Sequence, residues 1–110
     1  MTIDWNRSYA CIDFETYFCS KTYSVGEMSY HAYVNHPDFD AYLVAIATKN
    51  FTVYGRPEEL DWSAMDGMIW VAHNVTFDKM VFDKLTELYP EITARPHTWV
   101  NTADLAVYMQ

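Results

Sequence analysis

The sequence predicts an α/β domain, and three stretches carry that expectation. A short apolar strand, Tyr9-Ala10-Cys11-Ile12-Asp13-Phe14, ends in carboxylates; Phe39 to Tyr54 is rich in aromatic and β-branched residues; and the apolar run Met68 to Ala72 leads into a helical pattern. The 110 residues, 51% of them hydrophobic and 17% aromatic, suit a single domain, because closing one core takes about 100–150 residues.

Apolar side chains on both faces of residues 9–14 predict a central strand covered on both sides. Residues 16–25 are polar with scattered aromatics and read as a loop, and Glu27 to Val34 reads as a short helix that stops before Pro37, which restricts the backbone of His36. Thr48-Lys49-Asn50 separates Phe39–Ala47 from Phe51–Tyr54, the pattern of two antiparallel strands joined as a hairpin. Pro57 to Asp66 carries Leu60, Ala64 and Met65 at helical spacing, with Pro and Glu in its first turn, so a short or irregular helix is expected. Met68–Ala72, bounded by Gly67 and His73-Asn74, reads as a buried strand. Phe77, Met80, Val81, Leu85 and Leu88 then repeat every three to four residues until Pro90, which predicts an amphipathic helix over 76–89. Trp99-Val100 reads as a last short strand, and Asp104 to Gln110 as the start of a helix.

The formal net charge of −8 excludes wrapping a polyphosphate by charge alone, yet it is compatible with contact to phosphate through divalent cations held on carboxylates. Two cysteines, Cys11 and Cys19, are too few for a disulfide framework, and the first residues contain no secretory apolar core. No apolar run approaches the roughly 20 residues of a membrane helix, so a cytoplasmic protein without membrane attachment is expected.

Chemistry is expected where strands end and helices begin. Residues two apart on a strand point the same way, so Asp13 and Glu15 can face one divalent ion while Phe14 turns to the other side. Two such charges repel unless a cation neutralises them or one takes a proton. Asp78 falls in the first turn of the predicted long helix. Taken singly, each piece has a structural explanation: Asp-x-Glu is common on surfaces, Asn74 or Thr76 can cap the helix, and Asp78 can complement its dipole. The ordered combination is more specific: a strand ending Ile12-Asp13-Phe14-Glu15-Thr16, a β-rich stretch, and a strand running through His73-Asn74 into a helix that opens with Phe77-Asp78. His31 and His36 are five apart and do not share a helix face, which argues against zinc, and His73 reads as a hydrogen-bonded strand-end residue rather than a base. Most of the nine tyrosines are expected in the core or at its rim, although some could stack bases.

In these motifs the chain resembles the DEDD (DnaQ-like) superfamily of 3′-5′ exonucleases, in particular the proofreading domains of phage and bacterial DNA polymerases. Ile12-Asp13-Phe14-Glu15-Thr16 is similar to that family's first motif and Asn74-Val75-Thr76-Phe77-Asp78 to its second; Tyr33 to Phe39 and Thr102 to Ala106 resemble the segments between and after them. The resemblance extends from about residue 8 to residue 110 and implies a ribonuclease-H-like mixed sheet flanked by helices. It also implies two Mg²⁺ or Mn²⁺ ions, about 3.5–4 Å apart, held by Asp13, Glu15 and Asp78 as the catalytic carboxylates. Asp13 would bridge both ions, Glu15 would complete the first and Asp78 would hold the second. Thr16, Asn74 and Phe77 would touch the terminal nucleotide at the 3′ end of single-stranded or frayed DNA, Phe77 being equally suited to the helix core. RNA would use the same residues.

The family's third motif, a Tyr or His followed four or five residues later by Asp, would lie beyond Gln110, and Asp104 precedes its place. The resemblance therefore implies that residues 1–110 are the N-terminal part of one exonuclease domain, incomplete at the C-terminus, with turnover reduced by orders of magnitude. The rival expectation is an inactive fragment that associates with a polymerase domain or a complementing C-terminal fragment through an open sheet edge. On this rival expectation the isolated chain should associate: light scattering at high concentration should report dimers or larger species, and a clean monomer counts against it.

Overall fold

The computed structural model describes residues 6–19, 21–26 and 28–102. Strand β1 (Tyr9–Thr16) alternates strictly, with Ala10, Ile12 and Phe14 buried and Cys11, Asp13 and Glu15 exposed. The expected cover on both faces is thus corrected: among the described residues only one face of β1 is packed along its length, and the strand runs two residues past Phe14. β2 (Ala41–Thr48) pairs antiparallel with β1, and β3 (Thr52–Gly55) pairs antiparallel with β2. The hairpin closes because Thr48 Oγ1 accepts from the backbone N–H groups of Asn50 (3.2 Å) and Phe51 (3.1 Å). On the other side of β1, β4 (Ile69–Ala72) lies parallel to it, and β5 (Thr98–Asn101) lies parallel to β4. The result is a mixed five-stranded sheet, ordered β3-β2-β1-β4-β5, in which β2 alone runs against the other four.

Two α-helices flank it. α2 (Val75–Leu88) starts one residue before the expected position and lays Val81, Phe82 and Leu85 into the core with Ile12, Phe14, Val44, Ile46 and Trp70. α1 (Tyr30–Val34) is shorter than the expected 27–34, because Ser29 caps it: Ser29 Oγ accepts from the backbone N–H of Ala32 at 3.1 Å. The expected helix over 57–66 is instead two single 3₁₀ turns, Pro57–Glu59 and Trp62–Met65. Indole groups divert two of its carbonyls: Trp62 Nε1 donates to Pro57 O at 2.8 Å, and Trp70 Nε1 to Met65 O at 2.9 Å. Asp61 restarts the backbone by accepting from the Ser63 N–H at 3.1 Å. The expected helix over 104–110 lies outside the described residues.

Trp70 is the centre of the core. Its ring lies 4.8 Å from Phe82, 5.6 Å from Trp62 and 5.3 Å from Trp99, centroid to centroid, linking α2, the second 3₁₀ turn and β5. Across the sheet, Ile69, Val71 and Val100 make a smaller buried cluster with Tyr9. Beside that cluster Cys11, Ala45, Ala47, Thr52 and Tyr54 are exposed. Both cysteines are free thiols, and no helix among the described residues is long and apolar enough to cross a membrane.

Truncating Phe82 to Ala should lower unfolding free energy by about 3–5 kcal/mol. Tyr54→Ala, on a side chain 76% exposed, should change it by less than about 0.5 kcal/mol. Denaturant unfolding monitored by circular dichroism measures both.

Candidate active site

The pairing of β1 with β4 runs only from Tyr9–Ile69 to Cys11–Val71. Beyond Cys11, β1 keeps β2 as a partner but leaves β4 behind, and its last residues project as a free lip. A register shift between Glu15 and Thr16, where Glu15 faces Leu43 but Thr16 faces Ala41, bulges the ladder at this point. Asp13 and Glu15 stand on the open face of the lip, as their spacing predicts. Thr16 turns to the helical side, where its Oγ1 lies 2.9 Å from Tyr33 Oη.

β4 delivers the second half. After Ala72 the chain turns through His73 and Asn74 into α2, and the Asn74 side chain caps the helix by accepting from the Phe77 N–H at 3.2 Å. The Asn74 amide nitrogen also donates to Tyr30 Oη at 3.3 Å. Phe77, partly buried, meets Tyr30 edge-on at 5.7 Å and Tyr33 at 6.0 Å. Thr16 and Phe77 line one cavity of about 330 Å³ with Phe18, Ser24, Val25 and Tyr33. Asn74 does not line it; its polar atoms serve the cap and Tyr30.

Asp78 lies one turn into α2 and is only 4% exposed, the one buried charged or polar residue of the described chain. It sits against β1. Burial pushes its carboxyl up to about 6, the Asp13 charge adds to that rise, and hydrogen bonds from the backbone at Phe14 and Asn74, together with the His73 charge, oppose it. Residues from the two motifs therefore meet: Asp78 touches the backbone of the first motif and feels the carboxylate of Asp13.

Searches with family models, curated proteins and solved structures found no match. What this site can do is read from its own geometry.

The pair Asp13 and Asp78 offers hard oxygen donors of the kind Mg²⁺ takes, since that ion is held by one or two carboxylates and completes its shell with water and phosphate. The Asp78 carboxyl is raised chiefly by burial, with the Asp13 charge adding to it, and a cation beside the two carboxylates would offset the like-charge part. The fit is to a two-carboxylate half-site: no group of three or more His, Cys, Asp or Glu suited to a metal is assembled among the described residues. Glu15 stands on the same strand face as Asp13 but is not drawn into a three-carboxylate cluster.

Sequence reasoning did not assign Tyr30 and Tyr33 to the site. The only available signal was that Tyr30, Tyr33 and Phe77 are all aromatic, and nothing in their spacing shows that α1 packs on the start of α2. It placed His73 correctly at a strand end, where Nδ1 lies 3.4 Å from Thr102 Oγ1.

Because the Asp78 carboxyl is raised from 3.8 to about 6, the folded state holds a proton that the unfolded chain has already released. Stability is therefore full below about pH 4 and falls as pH rises to about 6. In metal-free buffer at pH 7, Asp78→Asn should be more stable than the parent by about 1–3 kcal/mol, and the gain should vanish near pH 4. Thermal unfolding across that range measures it, and Mn²⁺ should raise the melting temperature of the parent more than that of the variant.

Proposed function

We propose that this chain carries the catalytic carboxylates of a metal-dependent 3′-5′ exonuclease of the DEDD type, acting on the 3′ end of single-stranded or frayed DNA. The observation that carries the reading is the approach of Asp78 to the Phe14 backbone and the Asp13 charge. Two sequence motifs separated by the whole hairpin meet at one strand end, in the order the resemblance calls for. The mixed sheet with one reversed strand and helices packed on it supports a ribonuclease-H-like fold for the domain. An intracellular, polymerase-associated proofreading role in a phage or bacterial cytoplasm is the setting that fits a small acidic domain of this kind.

Mg²⁺ or Mn²⁺ on Asp13 and Asp78, with Glu15 beside them, would supply Lewis acidity at the scissile phosphate. The protein's own part is positioning. Asp13, exposed on the lip, reaches the substrate side, while Asp78 is fixed from behind by backbone hydrogen bonds and by its seat in α2. Thr16 and Phe77 wall a cavity whose apolar lining suits an unpaired terminal base, and Asn74 caps the turn of α2 that carries Phe77 and Asp78. With a net charge of −8, DNA is gripped at its end and not along its length.

The exposed face of Cys11, Ala45, Ala47 and Tyr54 favours a second reading, in which the chain is inactive alone and associates with a polymerase domain or a complementing C-terminal fragment. Degradation of a 3′-labelled single-stranded oligonucleotide in Mn²⁺ separates the two. The exonuclease reading expects stepwise shortening, lost by about 10²–10⁴-fold in Asp13→Ala, the range that several kcal/mol of charge stabilisation corresponds to. Equal rates for parent and variant would refute it, and a matched RNA oligonucleotide reports the sugar preference.

A further inference from the structure

The sheet register defines rows of side chains across the open face. Cys11 pairs with Val71, and Val71 with Val100. Past the last paired residues, Asp13 stands on β1, His73 directly follows β4 and Thr102 directly follows β5. All three line one trough of about 450 Å³, whose remaining walls include Cys11, Ala45, Ala47 and Val71. The trough is mostly apolar, with Thr52 beside Ala47 on one side and Asp13, His73 and Thr102 as its other polar groups apart from the Cys11 thiol.

Among the described residues no Lys or Arg lines this trough. Arg56 is engaged by Asp40 and Glu58, Lys79 by Asp83 and Lys84 by Glu87, while Arg95 donates to the carbonyls of Ile92 and Ala94; none of these four lines the trough. A phosphate beside Asp13 would find one ring donor there, that of His73. The imidazole is exposed, and its Nδ1 lies 3.4 Å from Thr102 Oγ1. In the tautomer in which the threonine hydroxyl donates to Nδ1, Nε2 carries the proton and is free to donate to a ligand.

We propose that His73 is a substrate-contacting residue, donating from Nε2 to a non-bridging oxygen of the terminal phosphate, with Thr102 fixing the ring. The inference rests on the exonuclease reading and adds to it the group that recognises the phosphate. Position carries it: the ring follows β4 directly and lines the same trough as Asp13 and Thr102. A contact of this kind reads phosphate and is indifferent to the base, whereas the Thr16 and Phe77 cavity takes the base itself.

Binding of thymidine 5′-monophosphate in Mg²⁺, compared with thymidine, tests the proposal on the full chain. In the parent protein, ¹⁵N-histidine spectra should show the His73 ring signals moving with the monophosphate and not with the nucleoside. His73→Ala should weaken the monophosphate by about 10-fold or more, the range for a hydrogen bond to a charged group. His73→Gln, which keeps a donor, should recover part of that loss, and affinity for thymidine should be unchanged in both variants. Equal weakening of the two ligands would assign His73 a purely structural role and overturn the proposal. Movement of Phe77 signals on adding monophosphate while the His73 ring stays still overturns it alone. No binding of the monophosphate overturns both the proposal and the exonuclease reading.

Discussion

β1 and β4 lie side by side over three residue pairs, and the shortness of that contact shapes the rest of the molecule. Pairing from Tyr9–Ile69 to Cys11–Val71 is enough to hold the parallel half of the sheet to the antiparallel half. It stops early enough to leave the end of β1 without a neighbour on one side. α2 begins where β4 gives out, so its first turn fills the gap and Asp78 takes the place beside the Phe14 backbone that a longer β4 would have occupied. Extending the ladder by two pairs would close the lip and separate the two carboxylates.

The site sets a buried carboxyl against an exposed one. Asp13 keeps its hydration, whereas Asp78 has exchanged water for backbone hydrogen bonds that only partly offset its burial. Such a position lowers stability at neutral pH, where the carboxyl must give up its proton while buried. The aromatic cluster on α1 is held by hydrogen bonds to backbone carbonyls. Tyr33 Oη donates to the carbonyl of Tyr17, Tyr23 Oη donates to the carbonyl of Tyr33 at 2.6 Å, and the two rings stack at 4.4 Å. The loop that follows β1 is thereby tied to α1, and α1 to the first turn of α2.

The elements written in strong periodicity were legible: β1, the hairpin, β4, α2 and β5 all lie within two residues of their expected bounds. Residues 57–66 were misread because Leu60, Ala64 and Met65 suggest one helical stripe. The buried side chains there are Pro57, Trp62 and Met65, and the indole hydrogen bonds that break the helix come partly from Trp70, a residue outside the segment. Cover on both faces of β1 was misread for a related reason. Cys11 counts as apolar in a pattern, yet exposure is decided by what packs against it. At the site, motif order singled out Asp13 and Asp78, which the fold brings near each other, and Glu15, which it does not gather into a three-carboxylate cluster; the division of Asn74 between a cap and Tyr30 depends on tertiary contacts that no local spacing encodes.

Trp62, Trp70 and Trp99 converge on the ring of Phe82, with the Arg95 guanidinium lying 5.7 Å above the same ring. Three indoles at such separations, held at fixed mutual angles, couple their electronic transitions. The near-ultraviolet dichroism of this protein should therefore carry an excitonic signature belonging to the cluster and to no single tryptophan. Because the cluster joins the sheet to α2, that signature is an optical gauge of how firmly the helix bearing Asp78 is seated.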